Sequence, residues 1–311
     1  MGGVCQSKPK VKANASKTYE LDVLTDHEGG VNAMALSEDG AILASGSDDH
    51  TVRLWTTTTD FCECIGILIG HDDYVNCVLI EEMYVLSGSA DKTIRKWDMA
   101  TCTCVVVLEG HESTVNRIIC TGDFIFSSSY DRTARCWDFD SGEFVREFRG
   151  HRRSVMPLLF IPAPDDPSDG DDDEASESQD LLVTGSADFT AIAWSFETAE
   201  TLQTFKEHTG AITCMAVDRT GKILLTGATD HTIRSWDLKT GENLKVFEGH
   251  RSSIVCMTVG ALVNHYVTSG SPLCSCINTL LQYILVNVDS DATSDDNYDG
   301  NNDRYATTFN T

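Results

Sequence analysis

The chain has 311 residues, 41% of them apolar, with five Trp and twelve Phe, enough to bury a large core and to exclude disorder throughout. Its formal net charge of −25 excludes nucleic acid as a general partner, since phosphate binding needs Lys and Arg to neutralise backbone charge, and it favours protein partners. No apolar run reaches the roughly 18 residues of a bilayer-spanning helix, and the twelve cysteines, diluted over a chain with no apolar leading segment, read as reduced thiols of a cytoplasmic protein, the nucleus being the other compartment that fits.

Residues 1–17 are predicted to be a flexible leader. Within it Gly2, Cys5 and the nearby Lys8, Lys10 and Lys12 suggest myristoylation, palmitoylation and a basic patch, the combination of signals that stable membrane anchoring takes. The hydroxyl that the myristoylation pattern wants in place of Gln6 comes one residue late, at Ser7. A membrane is expected as a partner only through such lipidation.

From there the chain repeats itself. Trp55, Trp97, Trp137, Trp194 and Trp236 are spaced 42, 40, 57 and 42 residues apart. Six residues before each Trp stands an Asp (Asp49, Asp91, Asp131, Asp188, Asp230), and four before each Asp a hydroxyl (Ser45, Ser87, Ser127, Thr184, Thr226). Upstream lie His27, His71, His111, His151 and His208, with a further one at His250. Between the anchors run short apolar or β-branched segments, VNCVLI (75–80), YVLSGS (84–89), TIRKW (93–97) and CVVVL (104–108), separated by turn residues, which predicts four strands per period and no helix. A single four-stranded sheet cannot hide both of its faces, so the units must pack face to face around an axis: an all-β propeller over residues 18–288. Its repeats cover about 25–66, 69–108, 109–148, 149–205 and 206–247, with a partial one at 248–288.

The spacing of 57 reflects an insertion at 162–180, PAPDDPSDGDDDEASESQD, with nine acidic and no basic residues, predicted to be a disordered loop between the first two strands of blade four. The sixth unit opens with GHRSSIVCMTV (249–259), then has Leu273 where the Asp is expected and Thr279 where the Trp is expected. The segment YELDVLTDH (19–27) matches KVFEGH (245–250) in form and is predicted to be the outer strand of the closing blade. Two closures stay open: residues 254–288 complete a six-bladed ring, or five complete blades and an irregular sixth belong to a truncated seven-bladed form. Residues 289–311 read as a disordered polar tail; Asp295, Asn297, Asp299 and Gly300 open like a calcium loop, but Ala306 stands where the bidentate Glu is needed. The pairs Cys62/Cys64 and Cys102/Cys104 lie 40 residues apart at equivalent places in or near outermost strands, so repetition explains them. No metal and no cofactor is expected.

On these residues the chain resembles the WD-repeat family, whose signatures are a Gly-His pair before the first strand and Trp-Asp at the end of the third. Gly-His occurs at 70–71, 110–111, 150–151 and 249–250, and Trp-Asp at 97–98, 137–138 and 236–237. Asp26 and Glu207 replace the Gly in two repeats, and Thr56 and Ser195 replace the second Asp in two. The resemblance implies a hydrogen-bonded set in each blade, such as His71, Ser87, Asp91 and Trp97, then His111, Ser127, Asp131 and Trp137, and His208, Thr226, Asp230 and Trp236. Since Ser, His and Asp recur together in every blade, they read as structure and not as a hydrolase triad, and no catalytic residue is expected.

Function is left to what differs between repeats. The resemblance implies that residues flanking the structural Asp, and those after the His, point to the narrow face of the propeller. There the chain places His50, Lys92, Arg132, Phe189 and His231, with Tyr130 before its Asp, and Asn32, Tyr74, Asn76, Asn116 and Arg153 near the first strands. Aromatic, Arg and Asn side chains suit interface hot spots, and Lys92, Arg132 and Arg153 suit an acidic or phosphorylated ligand. The expected function is a non-enzymatic scaffold that binds proteins or peptides on this face. One alternative is a substrate receptor of a cullin-type ubiquitin ligase, because residues 223–239 (ILLTGATDHTIRSWDLK) resemble an adaptor-binding box; a propeller enzyme is the more distant alternative.

Overall fold

Apolar segments of five to seven residues, cut by turns rich in Gly, Asp, Ser and Thr, are too short and too β-branched for helices, and the described residues form strands joined by short turns. The computed structural model describes residues 23–58, 62–163, 179–218 and 220–258, together with the backbone of residues 259 and 266–269. Blade one contains β1 (Val31–Leu36), β2 (Ile42–Ser47), β3 (Thr51–Thr56) and β4 (Glu63–Ile69); blade two β5 (Val75–Glu81), β6 (Tyr84–Ser89), β7 (Ile94–Asp98) and β8 (Thr103–Leu108). Blade three has β9 (Val115–Cys120), β10 (Phe124–Ser129), β11 (Thr133–Asp138) and β12 (Phe144–Arg149); blade four β13 (Val155–Ile161), β14 (Leu181–Ser186), β15 (Thr190–Ser195) and β16 (Thr201–Lys206). Blade five has β17 (Ile212–Val217), β18 (Ile223–Ala228), β19 (Ile233–Asp237) and β20 (Asn243–Phe247), and a two-stranded sheet of β21 (Cys256–Val259) and β22 (Tyr266–Ser269) follows.

Each blade is a four-stranded antiparallel meander whose strands pair in chain order. The inner strands stand side by side, β1 on β5, β5 on β9, β9 on β13, β13 on β17 and β17 on β21, so each sheet covers its neighbour's face. The cores lie between blades: Ala33, Leu54, Val75 and Trp97 form one seam, and Ile161, Phe205, Leu224 and Trp236 another. Glycine at the second strand lets blades approach, since a Cβ on Gly46 would come within 2.6 Å of Val75 and one on Gly88 within 2.7 Å of Val115. Blade three has Ser128 there, whose hydroxyl donates to the Met156 carbonyl at 2.8 Å. A register shift recurs at the Trp of every third strand, as at Lys96/Trp97 and Cys136/Trp137, adding to the twist that turns the outer strand away. The insertion leaves after β13 and returns before β14, with residues 164–178 outside the described part. Of the predicted closing strand at 19–24, Val23 and Leu24 carry no strand and the rest lies outside the described residues, as do residues 270–288 and both terminal segments.

One hydrogen-bonded chain recurs inside every blade. In blade three Asp131 Oδ2 accepts from His111 Nδ1 at 2.6 Å and from the Glu112 amide at 3.0 Å. Its Oδ1 accepts from the Thr133 amide at 2.9 Å and hydroxyl at 2.6 Å. A carboxylate can only accept, so His111 carries its proton on Nδ1, and Nε2 accepts from Ser127 Oγ at 2.8 Å, which in turn accepts from Trp137 Nε1 at 3.0 Å. The same path runs through His27, His71, His151 and His208, with Asp contacts of 2.7, 2.7, 3.0 and 2.7 Å. Blade four, despite its insertion, keeps Thr184 between His151 and Trp194. The two blades that lack the Gly before His compensate with charge: Asp26 meets Arg53 at 3.9 Å, and Glu207 accepts from Arg234 and from Asn243.

Burial alone would raise the Asp131 pKa, but hydrogen bonds from His111 and Thr133 outweigh it and hold the carboxyl well below its usual range. For Asp230 the same opposition, with Thr232 and His208 as the hydrogen-bond donors, leaves a value of about 2. Two predictions follow from this geometry. Asp131→Ala should lower the unfolding free energy by about 1–3 kcal/mol, because it strands the buried His111 and Thr133 donors, and a thermal melt superimposable on the wild type would contradict the assignment. A carboxyl whose folded pKa is depressed contributes stability in full above its unfolded pKa, near 4, and loses it as the pH falls through the folded value. The gap in stability between wild type and Asp230→Ala should therefore be constant at neutral pH and narrow as the pH falls from about 4 toward about 2, read by chemical denaturation at each pH.

Candidate functional site

The turn between the second and third strands of each blade ends in a residue with left-handed backbone. His50, Lys92, Arg132, Phe189 and His231 have φ of 66°, 76°, 75°, 77° and 69°. In each, the amide donates back three residues, as from Lys92 to the Ser89 carbonyl at 3.2 Å and from Arg132 to Ser129 at 3.3 Å. This is the position of a type I turn with a bulge that glycine occupies most readily, and an L-residue there costs on the order of 1 kcal/mol. Two anchors hold the conformation: Asp91 Oδ1 accepts from the Thr93 amide at 2.8 Å, and Ser89 Oγ accepts from the Asp91 amide at 3.0 Å, with counterparts in blade three. Five exposed side chains that are not glycine are thereby carried at one end of the ring.

The loop leading into each first strand docks on the turn of its own blade. The Ala90 amide donates to the Tyr74 carbonyl at 2.9 Å, Tyr130 to Thr114 at 3.0 Å and Ala187 to Ser154 at 3.0 Å. Tyr74, Tyr130 and Phe189 are 47%, 55% and 38% exposed, a large apolar area for one end of a molecule so acidic. Arg153 lies over the Phe189 ring at 5.9 Å. Of the residues expected on this face, Tyr74, Lys92, Tyr130, Arg132, Arg153, Phe189 and His231 are exposed there.

Asn76 and Asn116 do something else. Asn76 Nδ2 donates to the Val115 carbonyl at 3.1 Å and Asn116 Nδ2 to the Val155 carbonyl at 2.6 Å, each reaching the next blade. Asn32 reaches Val75 in the same way at 3.2 Å, and Thr213 donates to the Ile254 carbonyl. Met156 holds this position in blade four and has no donor to offer. These side chains set the shape of the rim, a role invisible in one repeat because the acceptor lies some 40 residues away.

The face is sorted by charge. Glu28, Asp48, Asp72 and Asp73 stand on blades one and two, and Arg132, Arg152 and Arg153 on blades three and four, with Lys92 and Glu112 between. Arg152 belongs with the cations and was not singled out from the sequence, although it adjoins Arg153. Inside the rim opens a central cavity of about 250 Å³ lined by residues of five inner strands, among them Arg117. No group of three or more His, Cys, Asp or Glu that could hold a metal ion exists among the described residues. Burial pushes the thiols of Cys77, Cys136 and Cys214 up to about 12, so they stay protonated. No helix of the described residues is long and apolar enough to cross a membrane. The lipidation candidates Gly2 and Cys5 lie outside the described residues. In the 223–239 stretch Trp236 is buried and donates to Thr226, and Asp237 accepts from the Lys239 and Thr240 amides, as Asp98 and Asp138 cap the matching turns of other blades.

The WD domain, G-beta repeat family matches residues 18–56, 62–98, 102–138 and 199–237. The chain is 52% identical to human WD repeat-containing protein 86 over 201 residues, 65% of this chain and 53% of that protein. It is 33% identical to mitochondrial division protein 1 of Schizosaccharomyces pombe over 73 residues, 24% of this chain and 11% of the relative. The chain thus spans about half of the human relative and far less of the fungal one. Among solved structures, the crystal structure of the computationally designed Ika8 protein is similar with a TM-score of 0.66 and 28% identity, over 81% of this chain and 71% of that one. The family match passes over residues 149–198, yet blade four has four strands and the full His151, Thr184, Asp188 and Trp194 set. With the repeated network in five blades, the matching repeats and the all-β architecture, the chain belongs to the WD-repeat family of β-propeller proteins.

Proposed function

We propose that this chain is a non-enzymatic scaffold that receives a protein or peptide partner across its narrow face, on blades two to four, and that the partner's contacting segment is acidic or phosphorylated. WD repeats generally mediate protein–protein interaction, which is the coarse ground for the reading. The observation that carries it further is that all five turns between second and third strands, at one end of the ring, hold a non-glycine residue in the left-handed region, against three such residues, Glu82, Cys102 and Ala199, in turns at the other end. The five side chains on these turns, His50, Lys92, Arg132, Phe189 and His231, are cationic or aromatic, types that suit an interface. Lys92, Arg132 and Arg153 gather positive charge on a chain whose net charge is −25, which suits an acidic segment. The two narrower alternatives draw on no feature peculiar to one blade: Trp236 and Asp237 have counterparts elsewhere, and each Ser/Thr, His and Asp set is occupied in holding its own sheet.

Two measurements test the scaffold role. Affinity capture with the full chain, with Arg132→Glu and with Lys222→Glu, which lies in the β17–β18 turn at the opposite end, should give partners that Arg132→Glu loses and Lys222→Glu keeps; the same partner list for all three would refute the face. Arg132→Gly should hold stability at or up to about 1 kcal/mol above wild type, because glycine accepts the left-handed backbone, while the captured partners are lost. A clear loss of stability with retained binding would reverse the roles assigned to this residue.

A further inference from the structure

Arg117 is set apart from the other charges of the described residues. It stands in β9 and lines the central cavity, whose other lining residues, such as Ala33, Cys77, Ile118, Pro157 and Met215, carry no ionised group. The equivalent strand position holds Ala33, Cys77, Pro157 and Cys214 in the other four blades, so the cation is no part of the repeat. Arg53, Arg135 and Arg234, at a different repeated position, meet Asp26, Glu147 and Glu207, whereas no ion pair among the described residues includes Arg117. Burial raises the thiols of Cys77 and Cys214, and the charge of Arg117 works against it at both, which places that charge within reach of β5 and of β17, on blades two and five. The guanidinium therefore belongs to the axis of the ring and not to the sheet of its own blade.

The channel position is tied to the face above it. Arg117 comes two residues after Val115, and Val115 pairs with Ser129, whose carbonyl receives the Arg132 amide at 3.3 Å. Val115 also accepts from Asn76 of blade two, and the Asn116 amide grips Val155 of blade four, so the strand that carries Arg117 is held from both sides. A half-buried cation in a recess with no other ionised group among its lining residues is stabilised by an anion that enters with it. The fork of a guanidinium matches the two oxygens of a carboxylate.

We propose that Arg117 binds one carboxylate side chain, Glu or Asp, of a peptide segment that a partner lays across the narrow face, the carboxylate entering the channel and pairing with both arms of the guanidinium. This rests on the reading of that face as the partner-binding surface and narrows its ligand. Charge balance selects the carboxylate over a phosphate. One guanidinium neutralises one negative charge, and with no second cation among the described lining residues the remaining charge of a phosphomonoester, close to −2 at neutral pH, is left uncompensated. Lys92, Arg132 and Arg153 lie at the rim, where they steer an acidic segment toward the opening.

The test uses the full chain and an oriented library of short peptides, degenerate except for a central residue fixed as Glu, Asp, Gln or phosphoserine, with binding read by fluorescence anisotropy. The wild type should favour Glu or Asp over Gln by roughly tenfold, with phosphoserine weaker than Glu. Arg117→Met, which keeps the packing volume and removes a desolvated charge, should melt at or above the wild-type temperature and lose the preference for Glu over Gln, and Arg117→Lys should keep part of it. Phosphoserine binding as tightly as Glu overturns the proposal, as does an unchanged Glu preference in a folded Arg117→Met. If Arg132→Glu abolishes binding while Arg117→Met keeps the Glu preference, the face stands and the channel assignment falls. If Arg132→Glu leaves binding unchanged at every fixed residue, the face itself is wrong.

Discussion

An ionised carboxylate near the interior of each blade is the constraint from which the remaining architecture follows. Asp91 and its four counterparts are tolerable there only because a His nitrogen, a Thr hydroxyl and two backbone amides point at them. That requirement ties the loop before the first strand to the turn between the second and third. The His, fixed by the Asp, fixes the hydroxyl of the second strand, and the hydroxyl fixes the Trp of the third. Three strands and two loops are thus registered by one polar chain in sheets that otherwise offer only apolar faces.

The same constraint divides the molecule into a part that cannot vary and a part that can. Inside, the Trp rings fill the seams between blades, and the His, hydroxyl and Asp of each polar set are bonded within their own blade. At the rim, the residues next to each Asp share its rigid turn without taking part in the network, and the chain uses them for charge and aromatic area. Asn76 and Asn116 belong to neither group: they face the rim, yet their amides lock one blade to the next. The cations of blades two to four therefore sit on a surface whose backbone is held at every turn, a preorganisation that lowers the entropy lost on binding.

Much of this was legible in the residues. The spacing of Trp, Asp, hydroxyl and His was enough to indicate an all-β propeller of four-stranded blades. What escaped were relations that exist only once the ring is assembled. The acceptors of Asn76 and Asn116 are carbonyls one whole repeat away. Arg117 looks like one more basic residue on a strand until five inner strands converge and make it the cation of a shared cavity. The carboxylates that replace glycine at Asp26 and Glu207 read as mild departures, and only the folded blades show each of them meeting an Arg of the third strand. The expected strand at 19–24 rested on likeness to the outer strand of another blade, and its described residues, Val23 and Leu24, are not in a strand.

The left-handed turns carry a consequence for how such a protein can change over generations. Since Asp, Ser and Thr side chains impose the backbone at His50, Lys92, Arg132, Phe189 and His231, the residue at each site has little say in the fold and can be exchanged one turn at a time. On the proposed reading of this face, drift at these sites alters recognition while the barrier to unfolding stays nearly level. Five nearly independent letters, displayed on one unchanging frame, would then let a lineage trade one partner for another through intermediates that all remain folded.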